Sequence, residues 1–104
     1  MTVLSITFHT IASSLESWDS YLHGELHQMI ENLYDVEKYI ISTVESERIS
    51  EGQNTNLLLV FESKEIRASF MENELVNLVE HVEKRFNEEV MVFVTALNPS
   101  KSRL

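Results

Sequence analysis

Two short segments of the sequence are apolar at every position: LLLVF at residues 57–61 and VMVFV at residues 90–94. Their length and their aliphatic, β-branched and aromatic content favour strands over helices. Because successive side chains of a strand point to opposite faces of a sheet, both segments present apolar side chains on both faces. The chain must therefore fold so that both faces of this sheet are covered.

Two further strands are predicted from side-chain patterns. Residues 3–9 alternate between apolar and polar side chains, and residues 36–45 are rich in β-branched residues and tyrosine. The polar stretch at residues 46–55 predicts a hairpin connection into the strand at 57–61. A last strand is predicted at residues 90–97, where Asn-Pro follows.

An amphipathic helix of about 20 residues is predicted after the first strand. Ser13 and Glu16 have the spacing of a capping box, in which each side chain bonds the free backbone N–H of the other residue. The apolar residues that follow recur every three or four positions, as one face of a helix requires: Leu15, Trp18, Leu22, Leu26, Met29 and Leu33. We expect Trp18 to anchor the core.

A second helix is predicted to begin at Ser63, whose hydroxyl caps it. Its main apolar stripe lies within residues 71–86, whereas Ile66 and Phe70 point well away from that stripe. Either the helix breaks near residues 72–74, or these two side chains cover something else.

The order of elements is thus β-α-β-β-α-β. Joined by right-handed crossovers, they predict an α+β, ferredoxin-like fold: a four-stranded antiparallel sheet with both helices on one face. The first and third strands then lie in the middle. We expect one domain over residues 1–99 and a flexible tail over residues 100–104.

The helices leave the second sheet face uncovered, although the third and fourth strands are apolar there. Leaving such side chains in water forgoes about 1.5–3 kcal/mol each. A second copy of the same sheet is the simplest cover, which predicts a face-to-face homodimer, the dimeric α/β barrel. The alternative is that the broken second helix or the tail covers these strands.

Composition excludes several function classes. The 104 residues include 17 acidic and 8 basic side chains, a net charge of −9, and no cysteine. We expect no nucleic-acid partner, because such binding needs a basic surface. Without cysteine there are no disulfides or thiolate metal sites, and a cytoplasmic location is the default. No apolar run has the length of a membrane helix, so no membrane partner is expected.

Polar side chains at alternate positions of the first strand form the main candidate ligand site. Ser5, Thr7 and His9 share the face that turns away from the helices, and Tyr39 and Thr43 of the second strand are placed on the same side. Buried hydroxyl groups need hydrogen-bond partners. These residues therefore form either a satisfied polar layer at a dimer interface or the lining of a ligand pocket, in which His9 is the candidate general base.

Four residues of the first helix follow one another at i+4 spacing: Asp19, His23, His27 and Glu31. Side chains at this spacing are neighbours on a helix surface, and a histidine pair with carboxylates is able to bind zinc. The alternative, which we favour, is a solvated face on which the acids pair with the imidazoles. No metal or other cofactor is expected.

Several patches of the sequence resemble a bacterial family of unknown function in the dimeric α/β-barrel superfamily. The resemblance lies in SITFHT (5–10), Ser17-Trp18, LVFES (59–63) and FVTAL (93–97). It implies the ferredoxin-like fold and the homodimer. It implies no activity and no functional residues, because none is assigned to that family.

Three functional hypotheses follow. The first is a small homodimeric binding module that holds a small ligand between its sheets or a protein partner. The second is an enzyme of the superfamily, either a cofactor-free or haem-type monooxygenase or an isomerase-like enzyme, which rests on analogy of fold alone. The third is a purely structural or interaction protein.

Overall fold

The computed structural model describes residues 1–45 and 51–103. Within these residues, four strands form one antiparallel sheet. The strands are β1 (Thr2–Ile11), β2 (Lys38–Thr43), β3 (Gly52–Phe61) and β4 (Val90–Leu97). Their order across the sheet is β2-β3-β1-β4, so that β1 and β3 lie in the middle. The structure confirms the predicted ferredoxin-like fold.

Helices connect β1 to β2 and β3 to β4. The first helical segment (residues 12–31) comprises a 3-10 turn (Ala12–Ser14), α1 (Leu15–Tyr21), a π-helical turn (Leu22–Leu26) and α2 (His27–Glu31). The second helical segment (residues 64–86) comprises α3 (Lys64–Glu72) and α4 (Glu74–Phe86). A 3-10 turn, Asn87–Glu89, leads into β4.

The hydrophobic core lies between the two helical segments and one face of the sheet. Leu4, Ile6 and Phe8 of β1 are fully buried there. Trp18 of α1 is 1% exposed, and its ring centroid lies 5.1 Å from that of Phe8 and 5.5 Å from that of Phe86. Trp18 is therefore the predicted core anchor.

The π-helical turn changes which residues of the first helical segment face the core. A π-helix has i→i+5 hydrogen bonds and more residues per turn than an α-helix. A row of buried positions accordingly follows at every fourth residue, with Tyr21 buried beside it: Trp18, Leu22, Leu26 and Ile30. The predicted stripe ran through Met29 and Leu33 instead, and these two are only partly buried. The prediction assumed α-helical spacing throughout and so missed Ile30.

In the second helical segment the predicted cap is confirmed, and of the two alternatives for Ile66 and Phe70 the structure shows the helix break. The backbone N–H of Ile66 donates to Oγ of Ser63 at 3.2 Å, so Ser63 caps α3. The segment breaks at Asn73, whose dihedral angles (φ −120°, ψ −80°) are not helical. The break lets Phe70 and Leu75 both reach the core although they are out of phase on one continuous helix.

The predicted capping box of Ser13 and Glu16 is wrong. A 3-10 turn precedes α1, and the capping position is Ser14, whose side chain bonds no backbone N–H of the helix. The hydroxyl of Ser14 instead donates to Oε1 of Glu89 at 2.7 Å. This bond joins the start of α1 to the turn before β4.

The central strand β3 begins five residues earlier than predicted, at Gly52 rather than residue 57. Part of the predicted hairpin, residues 46–50, lies outside the described residues. The polar residues 53–56 extend the strand because β1 pairs with β3 along its whole length, from Thr2 opposite Phe61 to Ile11 opposite Gly52. Backbone hydrogen bonds between strands do not depend on the polarity of the side chains. Strand β2 is shorter than the predicted range of residues 36–45.

The chain after β4 is exposed and irregular from residue 100 to residue 103, and Leu104 lies outside the described residues. The division into a domain of residues 1–99 and a flexible tail stays a prediction. Among the helices of the described residues, none combines the length and the apolar character that crossing a bilayer requires.

Candidate functional site

One face of the sheet points away from both helical segments, and we call it the open face. It consists of the odd-numbered residues of β1 and β4 and the even-numbered residues of β2 and β3. Four large apolar side chains on it are about half exposed: Ile40 (53%), Met91 (50%), Phe93 (51%) and Leu97 (41%). The open face therefore carries the apolar surface that the sequence pattern predicted for the second side of the sheet.

A row of polar side chains runs along the middle of the open face, on the two central strands. Nδ2 of Asn56 donates to Oγ of Ser5 at 2.8 Å and to Oγ1 of Thr7 at 3.2 Å. Nδ1 of His9 lies 2.6 Å from Oδ1 of Asn54. We call these five residues the polar row. All five are partly buried, and the exposed apolar residues flank them on the edge strands.

The imidazole of His9 bonds to Asn54 and lies close to a glycine. Asn54 lies directly opposite His9 in the pairing of β1 with β3, so their side chains meet. The glycine is Gly52, where an added Cβ atom would come within 3.3 Å of Cε1 of His9 and 2.2 Å of the backbone oxygen of Thr10. Gly52 also has a φ of 156°, which side chains disfavour. The absence of a side chain at residue 52 therefore leaves room for the imidazole ring of His9.

The open face carries almost no formal charge. None of its strand positions is Asp or Glu, and Lys38 is the one charged residue among them, at the edge of the sheet. The chain as a whole has 17 acidic residues, and those that the structure describes lie on the helical side and in the connections. The open face therefore differs from the acidic helical side, since its strand positions carry no carboxylate.

The prediction that Tyr39 and Thr43 share the face of Ser5, Thr7 and His9 is wrong by one residue. Tyr39 pairs with Leu59 and Thr43 with Thr55, and both partners face the core. The alternation in β2 was ambiguous because apolar and polar residues do not strictly alternate there. Ile40 and Ser42 lie on the open face instead.

Tyr39 contacts the first helical segment on the other side of the sheet. Its hydroxyl lies 3.3 Å from Nε2 of His27 in α2. A hydrogen bond to the carboxylate of Glu31, with smaller effects from desolvation and from the negative charge of that carboxylate, raises the pKa of Tyr39 above its ordinary value. Tyr39 therefore belongs to the helical surface.

The i+4 row of the first helical segment divides into two separate pairs. Nε2 of His23 lies 3.3 Å from Oδ1 of Asp19, and Nε2 of His27 lies 3.5 Å from Oε1 of Glu31. Within residues 1–45 and 51–103, no group of three or more His, Cys, Asp or Glu side chains is arranged to hold a metal ion.

Sequence reasoning found the β1 half of the polar row and missed the β3 half. Asn54 falls in the hairpin predicted over residues 46–55, together with Gly52, and Asn56 falls between that hairpin and the strand predicted from residue 57. No alternation marks them as strand residues, because residues 52–56 (GQNTN) contain no apolar side chain. Their place in β3 follows from the pairing with β1.

Comparison of the sequence with models of protein families identifies the family of this chain. The family model described as "Domain of unknown function (DUF4286)" matches residues 1–100. The chain belongs to this family. This membership confirms the resemblance to a family of unknown function, and it assigns this DUF4286 chain no activity. None of the curated proteins matches the sequence.

Solved structures similar to this DUF4286 chain share its fold at low sequence identity. HapK from Hahella chejuensis has a TM-score of 0.68 at 8% identity and covers 100% of this chain and 97% of its own. An ethyl tert-butyl ether d family protein from Bacillus halodurans has a TM-score of 0.67 at 7% identity, covering 91% and 97%. SnoaB from Streptomyces nogalater, a cofactor-independent oxygenase, has a TM-score of 0.61 at 8% identity, covering 98% and 96%. Likeness at this identity establishes the fold alone.

Proposed function

We propose that this chain is a homodimeric binding module, located in the cytoplasm, which holds a small ligand between two facing sheets. The observation that carries the proposal is the composition of the open face, with a hydrogen-bonded polar row at its centre and half-exposed apolar side chains around it. A concave site of mostly apolar lining with a few placed polar groups is the usual form of a small-molecule site.

The size of the open face supports a second copy as its cover. Four strands spaced about 4.8 Å apart and roughly 30 Å long extend over about 600 Å² in projection. This is of the same order as the ~800 Å² that each partner buries in a stable interface. Because a two-fold axis brings the same patch of both copies together, the apolar residues of one open face meet those of the other.

The charge distribution supports the same arrangement. Two chains that each carry a net charge of −9 repel one another unless their acidic surfaces stay apart. The strand positions of the open face hold no carboxylate, so a face-to-face dimer keeps the acidic helical sides at its two outer surfaces. Packing through the helical sides would bring the acidic residues together.

The polar row explains why a ligand, and not only a second sheet, is proposed. Facing sheets pack about 10 Å apart when apolar side chains interdigitate. Hydroxyl, amide and imidazole groups in the middle of that layer need partners beyond the bonds they make to one another. A ligand with polar groups supplies those partners while its apolar part contacts Met91 and Phe93.

An enzyme of the cofactor-independent oxygenase class is the second candidate function. The observation that favours it is His9, an imidazole on the open face that is oriented by its hydrogen bond to Asn54. The similar fold of SnoaB agrees with this candidate but does not carry it.

The oligomeric state of the full chain at micromolar concentration tests the proposal. Phe93→Glu buries a charge in the proposed interface and is expected to give a monomer by native mass spectrometry. Val76→Glu is the matched control, because Val76 is similarly exposed (46%) but lies on α4, and this variant is expected to remain a dimer. A monomeric wild-type chain, or a Phe93→Glu variant that still forms the dimer, would overturn the proposal.

A crystal structure of the purified dimer tests the ligand space. We expect a cavity between the sheets that is lined by Thr7, His9 and Phe93. A fully packed interface with no cavity at these residues would instead support a purely structural role.

A further inference from the structure

We propose that His9 accepts a proton from the ligand of the open face, and that this ligand carries a weakly acidic hydroxyl group, of the phenol or enol class, on an apolar body. The inference rests on the proposed function, because the ligand lies between the two sheets. It goes further by naming the reacting nitrogen and the chemical class of the ligand.

The contact between His9 and Asn54 determines which imidazole nitrogen carries the hydrogen. Oδ1 of an asparagine amide only accepts hydrogen bonds, so the 2.6 Å contact requires Nδ1 of His9 to donate. In the neutral ring the lone pair is then on Nε2. Within residues 1–45 and 51–103, Nε2 of His9 takes part in no hydrogen bond or ion pair. It is available to accept a proton from a ligand.

Asn56 orients the hydroxyl groups next to His9 in a complementary way. Its Nδ2 donates to Oγ of Ser5 and Oγ1 of Thr7, so both hydroxyl oxygens accept, and their own hydrogens remain to donate. A ligand therefore meets an acceptor at His9 and donors at Thr7 and Ser5. Alternate residues of a strand are spaced about 6.7 Å apart, so these contacts reach two different groups of the ligand.

The apolar part of the ligand has a defined place beside these groups. Met91 lies directly opposite His9 in the pairing of β1 with β4, and Phe93 lies directly opposite Thr7. Both side chains are about half exposed. A ring that spans from His9 to Thr7 therefore lies against Met91 and Phe93, with a hydroxyl group at one end and an oxygen acceptor at the other.

The proton transfer balances without any further reactant. The O–H bond of the ligand breaks, its proton goes to Nε2 of His9, and the electron pair stays on the ligand oxygen. The imidazolium keeps its Nδ1–H bond to Asn54, which stabilises the charged ring. The resulting oxyanion meets no carboxylate on the strand positions of the open face.

The hydrogen position is tested by long-range ¹H–¹⁵N correlation spectra of the dimer at a pH of about 9, where an ordinary imidazole is neutral. We expect the His9 spectrum to show a protonated Nδ1 and an unprotonated Nε2. In Asn54→Leu we expect the hydrogen to move to Nε2, the preferred position in an unconstrained histidine side chain, while Asn54→Asp keeps it on Nδ1. A wild-type ring that carries its hydrogen on Nε2 would overturn the assignment of His9.

The ligand class is tested with 4-nitrophenol, whose hydroxyl and nitro groups lie at opposite ends of one ring. Below the pKa of the free probe, binding to the wild-type dimer is expected to produce the phenolate absorption band. His9→Gln is expected to abolish this band and to weaken binding about tenfold or more. His23→Gln is the control, because His23 is exposed on the first helical segment, and it should bind as the wild type does.

The outcomes separate this inference from the proposed function. A dimer that binds the probe only as the neutral phenol, or binds it equally well in His9→Gln, overturns proton acceptance by His9 and leaves the binding module standing. A dimer that does not bind the probe overturns the ligand class. A monomeric chain overturns both.

Discussion

The indole Nε1 of Trp18 donates to Oγ1 of Thr55 at 3.0 Å, and both residues are almost completely buried (1% and 2% exposed). This bond ties the first helical segment to β3 across the core. It also explains a polar residue in the buried half of a central strand, since a buried indole N–H needs an acceptor.

Thr55→Val keeps the shape of the side chain and removes the acceptor. The N–H of Trp18 is then buried without a partner, so we expect the free energy of unfolding to fall by about 1–3 kcal/mol. Urea denaturation measures the change. Thr43→Val is the control, because Thr43 pairs with Thr55 on the neighbouring strand but is exposed, and it should change stability by less than ~0.5 kcal/mol. Equal losses in both variants would contradict the role given to this bond.

The two glycines of the chain are expected to respond oppositely to alanine. A Cβ at Gly52 would lie 2.2 Å from the backbone oxygen of Thr10, and its φ of 156° disfavours any side chain. Gly52→Ala should therefore destabilise the fold by about 2 kcal/mol or more. A Cβ at Gly24 meets nothing within 4 Å, and Gly24→Ala should stabilise the helix by about 0.5–1 kcal/mol. Thermal unfolding measures the stability of both variants. An unchanged stability of Gly52→Ala would contradict the conclusion that residue 52 has no room for a side chain next to Thr10 and His9.

The fold was predictable where one local pattern decided the outcome. The doubly apolar strands and the Ser63 cap each followed from neighbouring side chains, and the break near Asn73 was one of the two alternatives that the helical pattern left open. The β1 half of the polar row followed from simple alternation, because the apolar side of β1 fixes which residues face away from the core.

The features of the fold and of the site that could not be predicted depend on pairing between distant segments or on an irregular helical turn. Asn54 and Asn56 are strand residues because β1 pairs with them, and their own propensities favour a turn. The side of Tyr39 is set by its register with Leu59, which an ambiguous alternation does not reveal. The position of Ile30 depends on a π-helical turn, for which the sequence offers no pattern.

Arg67 fastens the end of β4 to the rest of the sheet. Its Nη1 donates to the backbone oxygens of Val3 and Leu97, each at 2.9 Å, and its Nη2 donates to Oδ1 of Asn98 at 3.2 Å. Arg67→Met keeps much of the apolar stem and removes these charge-assisted bonds, so we expect a loss of about 1.5–3 kcal/mol. Hydrogen exchange should also become faster at the end of β4.

Lys64→Met is the control for Arg67→Met, because Lys64 lies exposed at the start of the same helix, α3. It should leave both stability and exchange at the end of β4 unchanged. Unchanged exchange in Arg67→Met would show that β4 holds its end through pairing with β1 alone.

The ionisation of Tyr21 is expected to lower the stability of the fold at alkaline pH. Burial of the phenol, and then the nearby carboxylate of Glu25, raises the pKa of Tyr21 above its ordinary value of about 10, against a smaller opposing effect of Arg85. The folded chain therefore keeps this proton at pH values where the unfolded chain has released it. The contribution to stability is complete below the unfolded pKa and is lost as the pH rises through the folded value.

Tyr21→Phe cannot titrate, so its free energy of unfolding should fall less steeply above pH ~10 than that of the wild type. Tyr34→Phe, at a residue that is 92% exposed, should fall as the wild type does, and equal slopes for all three proteins would contradict the assignment to Tyr21.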